Sequence, residues 1–203
     1  MRIFSTACAV VICAASSISA QDLPGAKELA KQLFKTGKNK TVVRILHPEL
    51  VPSQFTDAMQ AAAKVQHFYE AMAVSPDEGM LANSATHAVN HHSAAAAHTA
   101  ALTACNAQKK KASEPCVVMA EFLPKGYEGP RAFSLSYNAT EVFAKKYKRA
   151  GKPKAFAVSA TTGHWGQAVK ADSSQEARSI ALADCAVKAA KAGGEDCVIV
   201  SEN

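Results

Sequence analysis

The stretch CNAQKKKASEPCVVMAEF, residues 105–122, sets two cysteines around a lysine-rich loop and follows them at once with an apolar run. Near the C-terminus, CAVKAAKAGGEDCVIVSE, residues 185–202, has the same layout. Cys105 corresponds to Cys185, and Cys116 to Cys197 with one extra residue in the loop. The match runs backwards at a constant offset. Ala88-Val89, Ser93, Ala97 and Ala101-Leu102 reappear as Ala168-Val169, Ser173, Ala177 and Ala181-Leu182. Earlier still, after a short gap, AMAVSPDEG (71–79) matches AFAVSATTG (155–163). The chain reads as a duplication, and its fold is decided by what one unit forms.

The cysteines depend on the compartment. MRIFSTACAVVICAASSISA, residues 1–20, has a basic start at Arg2, an apolar core and a small-residue end before Gln21, the pattern of a cleaved secretory signal peptide. Its apolar core is shorter than the roughly 20 residues that span a bilayer. No later segment is long and apolar enough to cross a membrane, so the chain is expected in the periplasm or secreted. Of six cysteines, Cys8 and Cys13 leave with the signal, and Cys105, Cys116, Cys185 and Cys197 remain. An even number in an exported chain points to disulfides. A duplicated unit carrying two cysteines most simply closes one bridge in each copy, pairing Cys105 with Cys116 and Cys185 with Cys197. Zinc ligation fits less well, because the spacing is not a two-residue knuckle and an oxidising compartment works against thiolate ligands.

Residues 21–40 form a basic N-terminal segment, 41–123 a first repeat, 124–130 a linker and 131–203 a second repeat. In the first repeat TVVRIL (41–46) reads as a strand and residues 55–68 as a helix. AMAVS is a buried strand, residues 84–89 a second strand after a turn, the alanine-rich run from Ser93 a helix, and CVVMAEF the last strand. The second repeat predicts the same order. RAFSLS (131–136) is a strand, followed by a helix from about Asn138 to Ala150, then strands in KAFAVS and HWGQAVK. A helix opens with the capping-box spacing Ser173 to Glu176, and CVIVS closes the unit. The expected fold class is α+β: two tandem βαββαβ repeats in ferredoxin-like order, helices covering one face of an antiparallel sheet, each repeat stapled by one disulfide.

The pattern A-[MF]-A-V-S-x-x-x-G, a helix ending A-L-x-x-C, and C-V-[VI] after a short loop resemble the exported bacterial domain of unknown function 4189. With VFAKKYKRAGKPKAFAVS (142–159) between the copies, the chain is similar to a tandem form found in alphaproteobacterial proteins, some of them labelled 5-aminolevulinate synthase. The resemblance covers about Tyr69 to Ser201. It departs from single-domain members at Met80-Leu81, where an aromatic is usual, whereas His164-Trp165 fit. It implies no accepted catalytic residues. The synthase label is disfavoured: two small exported repeats do not supply a large pyridoxal-phosphate fold with its Schiff-base lysine.

Two residue groups are candidate sites. His87, His91, His92 and His98 fall within twelve residues and are candidate metal ligands. Aligned on the repeat, His87 lies in a strand, His91-His92 in a turn and His98 on a helix, which favours ordinary polar positions. The formal net charge is +6, and loss of Arg2 leaves 22 basic residues against 17 acidic. The candidates for contact with an anionic surface are Lys109, Lys110, Lys111, Lys145, Lys146, Lys148 and Arg149. Export argues against nucleic acid as the partner. No nucleophile elbow, phosphate loop, dinucleotide fingerprint or zinc-protease helix occurs, so no catalytic residue and no cofactor are expected. The expected function is that of a binding or interaction protein for a protein or envelope component. The alternatives are a periplasmic metal carrier using the histidine cluster, or a hydrolase whose site is assembled only in the fold.

Overall fold

The structure is a computed structural model that describes residues 23–203; the expected signal peptide, residues 1–20, lies outside the described residues. The first repeat contains β1 (Thr41–Ile45), α2 (Ser53–Ala63), β2 (Glu70–Val74), β3 (Thr86–Ala88), α3 (Ala94–Gln108) and β4 (Val117–Pro124). Before it stands α1 (Ala26–Gln32), and after it come α4 (Tyr137–Lys145), β5 (Lys154–Ser159), β6 (Trp165–Val169), α5 (Ser174–Ala190) and β7 (Cys197–Glu202). The strands form two separate sheets, in the orders β1-β4-β2-β3 and β6-β5-β7. Every pairing is antiparallel. The α+β class holds, and both disulfides join the expected partners, Cys105 to Cys116 and Cys185 to Cys197, each with Cα atoms 6.1 Å apart.

Three sequence expectations are corrected. RAFSLS is not a strand. Its Phe133 and Leu135 turn into the core around Phe143 and Phe156. Beside β7, where a fourth strand would pair, the N-terminal segment packs instead, with Ser201 donating to the carbonyl of Pro24. The helix read over 55–68 stops at Ala63. Phe68, fully buried, packs instead with Tyr69 and Leu123. Finally, the sheets are not covered on one face, and a ferredoxin-like strand order is not what the pairings form. Alternate residues of β2 face opposite ways: Ala71 and Ala73 pack on α3, while Met72 and Val74 point toward α2. In β5, Ala155 and Ala157 pack on α5, and Phe156 and Val158 on α4 and α1. A central strand apolar on both faces must be covered on both, as continuous apolar strands generally are.

The duplication is visible in backbone detail. Between β2 and β4 the register slips so that Met119 is an extra residue, and between β5 and β7 Val200 is extra at the matching position. Such bulges are retained features of a fold rather than accidents. Asn90 and Lys170, also matching, both adopt positive φ, 59° and 56°. Ser93 and Ser173 each cap their helix, accepting from the N–H three residues on. Glu176 returns the bond to Asp172 N–H, one residue before the cap of the expected box.

The alanine faces bring helix and sheet unusually close. A Cβ placed on Gly166 would stand 2.3 Å from the carbonyl oxygen of Ala181 and 2.4 Å from the amide nitrogen of Cys185. Backbone on both sides leaves no room to yield. Replacing Gly166 by alanine is expected to lower unfolding free energy by about 2 kcal/mol or more. Opening one bridge by a Cys185→Ser/Cys197→Ser change should cost about 3 kcal/mol, since it frees a loop of a dozen residues. Both are read from urea unfolding curves. A Gly166→Ala chain as stable as the parent would contradict this packing.

Candidate functional site

Basic side chains far apart in sequence meet in two concavities. Lys27 and Lys31 stand one turn apart on α1 and share a side of that helix. Lys27 lines a cleft of about 760 Å³ together with Lys148, Arg149, Lys152 and Lys154. Lys31 lines a second, of about 360 Å³, with Lys35, Lys40, Lys125 and Arg131. Among the described residues no acidic side chain lines either one. Lys31 does pair with Glu28 at 2.9 Å, but both are well exposed, and such pairs contribute little. Cations gathered in a concavity with few opposing charges focus a positive potential there.

Lys154 has a structural share in this arrangement. It is buried, and its Nζ donates to the carbonyl oxygens of Tyr147, Lys148 and Ala150 at 2.9, 3.2 and 3.1 Å. Those carbonyls end the turn that carries Lys148 and Arg149, so Lys154 holds the cleft wall. Burial first, then the charges of Lys152 and Lys27, lower its pKa. Arg131 similarly ties the second cleft together, donating to the carbonyl of Gln32 and lying 3.4 Å above the ring of Phe34.

The seven lysine and arginine candidates of the sequence divide. Lys148 and Arg149 reach the larger cleft. Lys145 pairs with Glu141 on α4, and Lys146 caps the end of that helix through its backbone. Lys109 is folded back onto the carbonyls of Lys110 and Ser113. The loop of Lys109, Lys110 and Lys111 is tied down by Glu78, which accepts from the Lys110 amide and the Ser113 and Ser84 hydroxyls. Those hydroxyls and the amide hold the Glu78 carboxyl down at about 2, so its negative charge persists beside the lysine run. The cleft residues missed from the candidates are Lys27, Lys152 and Lys154 in the larger cleft and Lys31, Lys35, Lys40, Lys125 and Arg131 in the smaller. The four-residue spacing of Lys27 and Lys31 was a usable signal; the convergence of α1 on the second repeat was not.

The histidines go to different places. His87, on β3, lies on the α2 face of the first sheet, with Nε2 3.0 Å from Glu70. His98, on α3, lies on the opposite face, 2.7 Å from Glu121, which also pairs with Arg44. His91 and His92 are buried where the two repeats meet. Among the described residues no group of three or more histidine, cysteine, aspartate or glutamate side chains is placed to hold a metal ion. His92 bridges the repeats: its Nδ1 accepts from the Ser136 amide at 2.9 Å, and Nε2 lies 3.0 Å from the His164 carbonyl, to which it must donate. That leaves one neutral tautomer. Gly163 closes the same junction at φ 72°, where a Cβ would stand 2.2 Å from the Asn90 carbonyl.

No protein-family model, no curated protein and no solved structure matches this chain.

The junction makes stability depend on pH. Burial pushes the His92 pKa down to about 4; the hydrogen bond to the His164 carbonyl and the charge of Asp196 oppose it, and the charges of His91 and His164 add to it. The unfolded chain therefore takes up a proton between about pH 6.5 and 4 that the folded chain refuses. Stability is complete above about pH 6.5 and is lost as pH falls toward 4, by about 3 kcal/mol from this group. Thermal unfolding of the parent should fall more steeply over that range than that of His92→Gln. Parallel curves would contradict the assignment.

Proposed function

We propose that the protein is an exported, non-catalytic binding protein that engages an anionic component of the cell envelope through the two basic clefts. The observation that carries this reading is that ten cationic side chains line two concavities joined by α1, with no acidic side chain of the described residues lining either. Concave positive surface suits a flexible polyanion, which can bring several charges to one groove at once. The two disulfides suit an oxidising compartment outside the cytoplasm. Among the described residues no helix is long and apolar enough to cross a membrane, so attachment to an envelope surface through charge fits the reading. The repeated cysteine and alanine pattern supports membership of the domain-4189 group in its tandem form.

The reading is tested with polyphosphate as the probe and calorimetry as the readout. Binding is expected to weaken steeply with salt, because exposed charges are screened. Lys27→Glu with Lys152→Glu should weaken it about tenfold or more at low salt. Lys109→Glu with Lys111→Glu, in the loop tied down by Glu78 and outside both clefts, should change it by less than threefold. Equal losses in the two variants would show a general charge effect and overturn the clefts as the site.

A further inference from the structure

The first repeat carries a second, chemically different concavity on the α2 face of its sheet. Met59 from α2, Met72 from β2, Met80 from the following turn and His87 from β3 surround a cavity of about 330 Å³, closed at one side by Phe122. Met72 and His87 are direct partners across β2 and β3, so their side chains stand side by side on one face. Glu70 lies beside them with only 3% of its side chain exposed; it accepts from Gln66 at 2.6 Å and meets His87 Nε2 at 3.0 Å. This carboxylate fixes the proton on Nε2 and leaves Nδ1 as the ring's lone-pair nitrogen. Carboxylates orient metal-binding imidazoles in this way.

Methionine is an ordinary filler of irregular cores, yet here three of them border open space. The duplication supplies the comparison. Met59 and Met72 correspond to Phe143 and Phe156, whose rings lie 5.1 Å apart, and Phe156 stacks on Trp165 at 5.3 Å. The second repeat packs this face with aromatics, whereas the first lines it with thioethers and an imidazole. We propose that the cavity is a copper(I) site, with Met59, Met72, Met80 and His87 Nδ1 as the candidate ligands and Glu70 as the residue that positions the ring. Thioether and imidazole donors select copper(I) over the harder zinc and calcium ions. All four cysteines of the described residues are in disulfides, so thioethers are the sulfur donors open to a metal. Binding needs no redox step, because the ion enters and stays as copper(I).

The test is anaerobic titration of the disulfide-intact chain with the copper(I)–acetonitrile complex, in competition with bicinchoninate. One equivalent should be retained, with X-ray absorption showing sulfur and nitrogen neighbours. Met59→Leu with Met72→Leu keeps apolar volume and should weaken retention at least tenfold with thermal unfolding unchanged. His98→Ala, on the opposite face, should leave it unaltered. Failure to hold copper(I) against the competitor, equal retention by the double-leucine variant, or zinc bound as tightly as copper(I) would each overturn the site. None of these readouts depends on polyanion binding.

Discussion

The close seating of an alanine-faced helix on the central strand of each sheet is the constraint from which the rest of the molecule follows. Ala97, Ala101 and Cys105 meet Ala71 and Ala73 in the first repeat; Ala177, Ala181 and Cys185 meet Ala155 and Ala157 in the second. Small side chains bury little apolar area apiece, so the attraction must come from many short contacts and from backbone brought near backbone. A helix seated this way tolerates no added bulk. The disulfide fixes its last turn to the start of the next strand and limits the freedom of the unfolded chain.

With one face of each sheet committed to that packing, the other was free to diverge, and the two repeats used it differently. Glu70 and Lys154 occupy matching places at the start of the central strand, and both are buried at 3% exposure. One repeat has there a carboxylate beside an imidazole; the other has an ammonium group capping carbonyls below a basic cleft. The α2 face of the first repeat holds methionines around a cavity, while the matching face of the second is packed with Phe143, Tyr147 and Phe156. The N-terminal segment adds α1 to the second repeat alone, which brings Lys27 to the cleft. Opposite charges at one inherited position give the two copies different polar surroundings on this face.

Much of this was legible in the chain. The cysteine pairing followed from the repeat, because each copy had to satisfy its own two sulfurs. The order of helices and strands in the first repeat followed from periodicity and from turn residues. What was not legible was spatial. AMAV, residues 71–74, is apolar at every position, and that continuity implies two covered faces, whereas the element order alone points to helices on one face. RAFSLS alternates like a strand, but an alternating segment pairs only where a sheet edge is open, and the N-terminal segment packs beside β7. The larger basic cleft combines α1 with residues over a hundred positions later, a juxtaposition no local pattern encodes. The repeat alignment already put His87 in a strand and His98 on a helix; that these stand on opposite sides of one sheet is a matter of packing.

The central claim is that the alanine-helix packing on the middle strands is the most stable part of each repeat, and that the opposite faces are secondary to it. Native-state amide hydrogen exchange resolved by residue tests this most directly, because it ranks local against global opening. The account expects the slowest amides in β2 and β4 of the first sheet, in β5 of the second, and in the middle turns of α3 and α5, with α1, α2 and β1 opening at lower free energy. Slowest exchange in α1, α2 or β1, with β2 and β5 opening earlier, would contradict it.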